Sequence, residues 1–362
     1  MPLVLHVVGA RPNFPKVAPL VAALARCGIS QRLVHTGQHF DERMSGIFFE
    51  ELGLPRPDVW LGAGPGTHAE QTARVMVAFE RVLAEARPDL VVVPGDVNST
   101  VAAALVAAKA GIPLAHLEAG LRSFDRSMPE ELNRVVTDHL ADLLLTPSPD
   151  ADENLRREGI AGPQVVRVGN LMIDTLRAQL PRARALRAAS AAGLAAGRYA
   201  VATLHRPSNV DDPARLGRLL AALARIAEAV PVVFPVHPRT RPRLADPAAA
   251  RAASALRVVE PLGYLELLSL TSEAGLVLTD SGGLQEEATA LGVPCLTLRD
   301  RTERPITVSE GTNEIVGTDP ERIVRAASRA LSDPRPPRCP GLWDGHAGDR
   351  AAEAIASFLE PR

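Results

Sequence analysis

Charged and polar side chains follow several apolar runs of the sequence at the point where each run ends. The first run, Leu3–Val8, leads into GARPNFPK, which carries Arg11 and Lys16. Gly9 allows a tight turn, and the N–H groups at the start of the predicted helix attract anions. Two solvated bases at an ordinary strand-to-helix turn would show the same residues. The segment therefore predicts either an anion site or a simple turn.

A second motif, PGDVNST, follows the apolar run Leu90–Pro94. Asp96 comes directly after this run, so it is expected at the carboxyl end of a strand, where α/β proteins bind ligands. Asp, Asn, Ser and Thr are also the residues that cap helices. Both roles for Asp96 are plausible from the sequence alone.

The run Pro113–Leu117 is followed by an unusually dense set of ionisable residues between positions 116 and 134. These are His116, Glu118, Arg122, Asp125, Arg126, Glu130, Glu131 and Arg134. An acid that lies between Leu117 and Ala119, as Glu118 does, suits general acid or base chemistry. The alternative is a buried ion pair between Glu118 and Arg122.

Two histidines end predicted strands in the second half of the chain, His205 in TLHRPSN and His237 in PVHPRT. No carboxylate completes a metal-ligand set at helical spacing. The pair therefore favours a polyanionic or sugar ligand, and we expect no metal.

A glycine pair in TDSGGLQEEATALGVP predicts a phosphate cradle between a strand and a helix. The backbone N–H groups of Ser281, Gly282 and Gly283 would face the phosphate, and Glu287 lies one helical turn further on. A carboxylate there suits two vicinal ribose hydroxyls. By contrast, GAGPG at positions 62–66 has Thr67 where a dinucleotide fingerprint needs its third glycine, and no strand-to-helix turn is evident around it. We expect no nicotinamide cofactor.

The composition is that of a globular protein with two domains. Of 362 residues, 46% are hydrophobic and 23% are charged, with a net charge of −2, which argues against a disordered chain or a general nucleic-acid binder. Only Lys16 and Lys109 among the 40 basic residues are lysine, which draws attention to Lys16. Three cysteines without disulfide or zinc spacing, and no signal or membrane-spanning segment, predict a cytoplasmic protein without a membrane partner.

Short β-branched runs alternate with Ala- and Leu-rich helical periodicity, which predicts parallel sheets covered on both faces. We expect an α/β fold of two Rossmann-like domains with ligands in the cleft between them. The predicted boundaries are an N-terminal domain at 1–175, a linker or helix at 176–198, a C-terminal domain at 199–345, and a last helix at 346–362 that crosses back to the first domain. The residues favour a nucleotide-sugar enzyme or binder, and leave transfer, hydrolysis and elimination at the anomeric carbon open.

The same motifs, in this order, resemble those of the non-hydrolysing UDP-N-acetylglucosamine 2-epimerases. The resemblance rests on GARPNFPKVAPL, GDVNST, HLEAGLRS with PEELNR, and LTDSGGLQEEATALGVPCLTLRDRTERPITVSEGTNEIVG. It implies the GT-B type of two-domain fold, a homodimer, and an isomerase without a cofactor. The implied reaction interconverts UDP-GlcNAc and UDP-ManNAc by anti-elimination of UDP to a 2-acetamidoglucal and readdition, and supplies a precursor of cell-surface polysaccharide.

The resemblance also implies roles for individual residues. The expected catalytic residues are Asp96, Glu118, Glu130 and His205. The expected substrate or UDP contacts are Arg11, Lys16, Leu262, Leu267, Ser281, Gly282, Gly283, Glu287 and Arg304. Asp41 stands where activated relatives carry a second glutamine after Gln38, so we expect little activation by substrate.

Three other functions fit parts of the pattern. A GT-B glycosyltransferase would share the fold and the phosphate cradle, and a hydrolysing epimerase would release free ManNAc. A nucleotide-sugar sensor would bind without reacting. The dense acidic cluster fits proton transfer at C2 better than glycosyl transfer, and the presence of Asp96, Glu118, Glu130 and His205 argues against a sensor. The hydrolysing epimerase stays open because its chemistry is similar.

Overall fold

A computed structural model describes residues 2–38, 49, 51–333 and 336–360. The chain divides into two compact units. The first comprises Met1–Arg177 and Gly341–Arg362, and the second comprises Ala178–Pro340.

The described part of the first unit contains a seven-stranded parallel sheet in the order β3-β2-β1-β4-β5-β6-β7. Strands β1, β4, β5 and β6 are almost continuously apolar, as expected for strands that helices cover on both faces. All the side chains of β4, for example, are buried. The strands are β1 Leu3–Val8, β2 Ser30–His35, β3 Val59–Trp60, β4 Leu90–Pro94, β5 Leu114–Leu117, β6 Leu143–Thr146 and β7 Val165–Arg167.

Within the described residues, helices lie between consecutive strands of this sheet, as parallel strands require. Thr67 caps the second of them, since its hydroxyl accepts a hydrogen bond from the Glu70 N–H and the Glu70 carboxylate accepts one from the Thr67 N–H. The helices are α1 Phe14–Arg26, α2 His68–Ala86, α3 Asn98–Lys109, α4 Pro129–Leu140, α5 Pro149–Arg157 and α6 Leu171–Ala185. The chain passes into the second unit within α6.

The second unit repeats this plan with six described parallel strands in the order β10-β9-β8-β11-β12-β13. They are β8 Ala200–Thr203, β9 Val232–Pro235, β10 Arg257–Val259, β11 Leu276–Thr279, β12 Cys295–Thr297 and β13 Asn313–Ile315. The helices are α7 Ala188–Ala191, α8 Pro207–Val210, α9 Pro213–Ala227, α10 Pro247–Ala253, α11 Tyr264–Ser272, α12 Gly282–Leu291, α13 Ile306–Ser309 and α14 Pro320–Ser332. Among the described residues, no helix is long and apolar enough to cross a membrane.

The last helix, α15 Ala347–Leu359, packs against α1 within the first unit. Its second residue, Gly348, donates its backbone N–H to Asp174 Oδ2 at 2.6 Å. A Cβ built on Gly348 would lie 2.9 Å from the Pro19 backbone. The two helices therefore approach closely because this position has no side chain.

The predicted class is confirmed, since both units are parallel α/β sheets. Strands β6 and β7 and helix α5 were not predicted from the sequence. The statement that GAGPG lacks a strand-to-helix setting was wrong, because β3 ends at Trp60 and α2 begins at His68. A strand of two residues is too short to leave an apolar pattern in the sequence.

We predict that Gly348→Ala lowers the free energy of unfolding by about 1–3 kcal/mol, because the new methyl group meets the Pro19 backbone. Gly217→Ala in α9 is the matched control, since nothing lies within 4 Å of its added Cβ. The control should leave stability unchanged or slightly higher. Urea unfolding of both variants tests the prediction, and equal midpoints would contradict it.

Candidate active site

Sheet order brings three of the predicted segments of the first unit together. Strands β1, β4 and β5 are neighbours in the sheet, and in a parallel sheet their carboxyl ends lie at one edge. GARPNFPK follows β1, Asp96 follows β4, and Glu118 follows β5.

Lys16 and Glu118 form a buried ion pair at this edge, in which Nζ of the lysine donates to Oε2 of the glutamate. Their exposed fractions are only 6% and 8%. Gly95 lies against the pair at a φ of +62°, and a Cβ there would be 2.9 Å from Nζ and 3.2 Å from Oε2. Glycine at this position therefore leaves room for both charged groups. Pro147 and Asn170 line the same small recess.

The backbone beside Glu118 is held by a second buried charge cluster. His116 places Nδ1 2.6 Å from Asp138 Oδ1 and Nε2 2.7 Å from the Gly95 carbonyl oxygen. The Gly120 N–H donates to Asp138 Oδ2 at 3.1 Å. Burial opposes ionisation of Asp138, but the neighbouring His116 and Arg122 hold its pKa below the usual range. This cluster positions the turn in which Glu118 adopts a φ of +66°.

Arg122 belongs to this second cluster. Its guanidinium lies 2.7 Å from Asp138 and 2.7 Å from Glu158. The alternative of a Glu118–Arg122 pair is therefore wrong, since Glu118 takes Lys16 as its cation.

Two residues of α4 form hydrogen bonds with Asp96. Arg134 donates to Asp96 Oδ2 at 2.5 Å, and the Asn133 side chain donates to the Asp96 carbonyl oxygen at 2.8 Å. Helix α3 has Val97 at its N-cap position, so Asp96 does not cap it. The structure therefore excludes the capping role and leaves Asp96 as a carboxylate at the carboxyl end of a strand.

The two adjacent glutamates of α4 have different environments. Glu131 is buried and accepts hydrogen bonds from Ser123 and from the Phe124 N–H at 2.8–2.9 Å, which ties down the loop before the helix. Glu130, the predicted catalytic residue, lies in the first helical turn and is half-buried.

The turn around Arg11 is organised by a residue that the sequence analysis did not single out. The Asn13 side chain accepts hydrogen bonds from the N–H groups of Gly9 (3.0 Å) and Ala10 (2.9 Å) and donates to the Pro94 carbonyl oxygen at 3.2 Å. These two N–H groups are thus already bonded, and any anion here would meet Arg11 and the helix itself. Arg11 begins a short 3-10 turn before α1.

In the second unit, His205 follows β8 and is bound to Asp280, which follows the neighbouring strand β11. His205 Nδ1 lies 3.0 Å from Asp280 Oδ1. The backbone N–H groups of His205 and Arg206 donate to the same carboxylate at 3.0–3.1 Å. Burial opposes ionisation of Asp280, but the hydrogen bond from His205 and the backbone donors hold its pKa below the usual range.

The glycine pair starts α12 as predicted. Ser281 is the N-cap, and its hydroxyl accepts from the Leu284 N–H at 3.4 Å. A Cβ on Gly282 would lie 2.7 Å from Glu303 and 3.2 Å from the Arg304 guanidinium. Arg304 is buried and contacts Glu303 at 3.0 Å and Glu286 at 3.1 Å. The cationic side chain of Arg304 thus lies beside the N-terminus of α12, a helix of ten residues.

Glu287 lies on the same helix and is buried. Burial raises its pKa to about 7; the hydrogen bond with Tyr264 opposes this rise, and the neighbouring Glu286 adds to it. The side chains of Leu262 and Leu267 are partly buried and pack against an apolar core cluster of the second unit. The Leu267 N–H donates to the Gly263 carbonyl oxygen at 3.0 Å within this segment.

The sequence analysis missed the partners that hold the predicted site residues. Asp280 and Glu303 were present in the quoted motifs but received no role. Asp280 had a signal, because it follows a buried strand directly, as Asp96 does. Asp41 lies outside the described residues, so the prediction about activation by substrate stays a prediction.

Comparison with known proteins identifies the family of the chain. The family model for UDP-N-acetylglucosamine 2-epimerase matches residues 22–356. The chain is 43% identical to a UDP-N-acetylglucosamine 2-epimerase of Methanocaldococcus jannaschii, with 96% of this chain and 97% of the relative covered. It is 42% identical to a UDP-2,3-diacetamido-2,3-dideoxy-D-glucuronate 2-epimerase of Pseudomonas aeruginosa, with 98% and 99% covered.

A solved structure gives the same result for the fold. The crystal structure of the Methanocaldococcus jannaschii UDP-GlcNAc 2-epimerase in complex with UDP-GlcNAc and UDP superposes with a TM-score of 0.90 at 41% identity, covering 99% of this chain and 100% of that one. The two parallel α/β units, the family match and this structural likeness place the chain among the nucleotide-sugar enzymes of the GT-B type. The chain belongs to the UDP-N-acetylglucosamine 2-epimerase family.

We predict that Lys16→Met lowers the free energy of unfolding by roughly 3–5 kcal/mol, because it leaves Glu118 buried without this cation. Adding Glu118→Gln removes the uncompensated charge, so the double variant should be more stable than Lys16→Met alone. Urea unfolding of the four proteins in the cycle measures the coupling. Additive losses would contradict the buried pair.

Proposed function

We propose that this protein interconverts UDP-GlcNAc and UDP-ManNAc, by elimination of UDP and readdition to the other face of the sugar. The observation that carries the proposal is the arrangement of Lys16, Glu118 and Asp96 at one sheet edge. Glu118 is buried and Asp96 is half-buried, and carboxylates next to cations suit proton transfer close to a departing anion. Family membership supports this reaction over glycosyl transfer or sensing.

The second unit is proposed to hold UDP. Ser281, Gly282 and Gly283 offer the N-terminus of α12, and Arg304 lies beside it. Such a helix start with a cation favours a diphosphate. Glu287 is proposed to accept hydrogen bonds from the ribose hydroxyls, and Leu262 and Leu267 to contact uracil through their main chains.

The order of events follows from the chemistry of the sugar. The hydrogen at C2 becomes acidic only when the departing UDP leaves positive character at C1. We therefore propose that His205 and Arg11 assist departure of the diphosphate while Lys16 contacts the substrate. One of Asp96, Glu118 and Glu130 then removes the C2 proton, and a second one supplies it on the other face.

Incubation with UDP-GlcNAc in deuterated water tests the proposal. We expect deuterium at C2 of both recovered UDP-sugars, detected by NMR. Free ManNAc and UDP would indicate a hydrolysing epimerase instead. UDP-sugars recovered without deuterium would contradict proton transfer at C2 and favour a glycosyltransferase or a sensor.

We predict that Asp96→Asn or Glu118→Gln reduces kcat by about 10²–10⁴-fold, because each removes a carboxylate from the site of proton transfer. UDP binding, measured by calorimetry, should be largely kept. The control is Glu85→Gln, which changes an exposed residue of α2 and should leave kcat unchanged. Full activity in either site variant would remove that residue from the mechanism.

Glu287 gives a prediction about pH. Its pKa is about 7, so the group is largely protonated below this pH, whereas accepting two ribose hydroxyls requires the carboxylate. The affinity for uridine, which has no titrating phosphate, should therefore rise as the pH increases from about 6 to about 8. Binding should release protons into the buffer.

Calorimetry in two buffers of different ionisation enthalpy measures this proton release. Glu287→Gln is the control and should bind uridine with no pH dependence over the same range. A pH-independent affinity of the unaltered protein would contradict ribose binding by the Glu287 carboxylate.

A second substrate deserves the same assay. The relative from Pseudomonas aeruginosa, named for a UDP-diacetamido-glucuronate, is almost as similar as the one named for UDP-GlcNAc. The two sugars differ at C3 and C6, away from the carbon that reacts. Comparing kcat/KM for the two UDP-sugars identifies the preferred one.

The remaining expectations from the family are proposed here as well. We propose a homodimer that works in the cytoplasm and supplies a precursor of cell-surface polysaccharide. Free thiols at Cys27 and Cys295 fit a reducing compartment. Light scattering measures the oligomeric state directly.

A further inference from the structure

Asp280 has contacts that go beyond capping a turn. It is fully buried, with an exposed fraction of 0%. Its carboxylate contacts the His205 ring and accepts hydrogen bonds from the N–H groups of His205 and Arg206 and from the Asn209 side chain. We propose that Asp280 is a positioning residue for the reaction, which fixes the His205 ring and stabilises its protonated form opposite the departing diphosphate. This inference rests on the proposed function.

The fold makes the pairing rigid. Strands β8 and β11 are neighbours, with Thr203 in register with Thr279, and the hydroxyl groups of these threonines lie 2.6 Å apart. His205 and Asp280 therefore lie just beyond the ends of two neighbouring strands. The Asn209 side chain also donates to the Leu298 carbonyl oxygen at 2.9 Å. This hydrogen bond ties the segment after β8 to the residue that follows β12.

The hydrogen-bond chemistry determines which ring nitrogen carries the proton. A carboxylate accepts hydrogen bonds but cannot donate them, so Nδ1 of His205 must be the donor at 3.0 Å. Nε2 is then the nitrogen that gains or loses a proton. It lies on the opposite side of the ring from Asp280, and about a third of the His205 side chain is exposed (35%).

Other charged or titratable groups near the ring have partners of their own. The His237 ring lies 5.4 Å away by its centroid, and its Nδ1 accepts from the Arg239 N–H at 3.1 Å. The Arg206 guanidinium lies 3.1 Å from Glu303. Asp280 is thus the carboxylate in direct contact with the His205 ring among the described residues.

The proton balance of the step is simple. As the C1–O bond breaks, its electron pair goes to the leaving oxygen of UDP, and Nε2–H of protonated His205 donates to a phosphate oxygen. The proton moves to the phosphate, and the ring becomes neutral with its proton on Nδ1. In readdition the phosphate returns this proton to Nε2. Asp280 stays ionised throughout, as the aspartate of a catalytic triad does.

We predict that Asp280→Asn lowers kcat by about 10²–10⁴-fold and changes KM by only a few fold. An amide that accepts from the backbone N–H groups turns its NH₂ group toward the ring, so Nδ1 becomes an acceptor and the protonated ring loses its counter-charge. Asp211→Asn, at an exposed aspartate of the same unit paired with Arg239, is the control and should keep full activity.

Non-additivity and NMR separate positioning from a structural role. The double variant Asp280→Asn with His205→Asn should be no slower than His205→Asn alone. The ¹⁵N chemical shifts of His205, assigned with His205→Asn, should place the proton of the neutral ring on Nδ1 in the unaltered protein and on Nε2 in Asp280→Asn.

The proposal is overturned if the neutral ring of the unaltered protein carries its proton on Nε2, a result that does not depend on whether any variant folds. It is also overturned if the losses from the two single variants simply add. The NMR result needs no turnover, whereas the proposed function is tested by turnover of the unaltered protein. Failure of one is therefore distinguishable from failure of the other.

Discussion

Parallel strands end at the same edge of a sheet, and this constraint organises both units. The loops that follow neighbouring strands are brought together there, regardless of their distance in the sequence. Lys16 and Glu118 are separated by 102 positions and form an ion pair, and His205 and Asp280 by 75 positions and form a hydrogen bond. Each sheet thereby places ionisable side chains at the edge where its loops are exposed to ligands.

The second common feature is that four carboxylates of the candidate site each lie against a basic side chain. Asp96 contacts Arg134, Glu118 contacts Lys16, Asp280 contacts His205 and Glu303 contacts Arg304. Burying two charges costs about as much free energy as their attraction returns, so such pairs contribute little to net stability. We propose that their use lies in holding charged groups at fixed positions before substrate binds, which electrostatic catalysis requires.

The fold class could be predicted from the sequence, and the proposed site segments do follow strands, because apolar runs and the residues that come after them are local features. The sequence did not predict the partners. Arg122 was the obvious cation for Glu118 by proximity in sequence, yet Lys16 takes this place because β1 and β5 both flank β4. The roles of Asn13 and Asp280 were missed for the same reason, since hydrogen bonds between loops depend on the strand order.

The proposed reaction breaks and remakes the bond between C1 of the sugar and the oxygen that bridges it to the β-phosphate of UDP. Substrate with ¹⁸O at this bridging oxygen tests the proposed reaction. During epimerisation, the label should spread to the non-bridging oxygens of the β-phosphate, because these become equivalent once UDP is free to rotate. Epimerised product that keeps all of its ¹⁸O in the bridge would contradict elimination and require proton exchange at C2 with the bond intact.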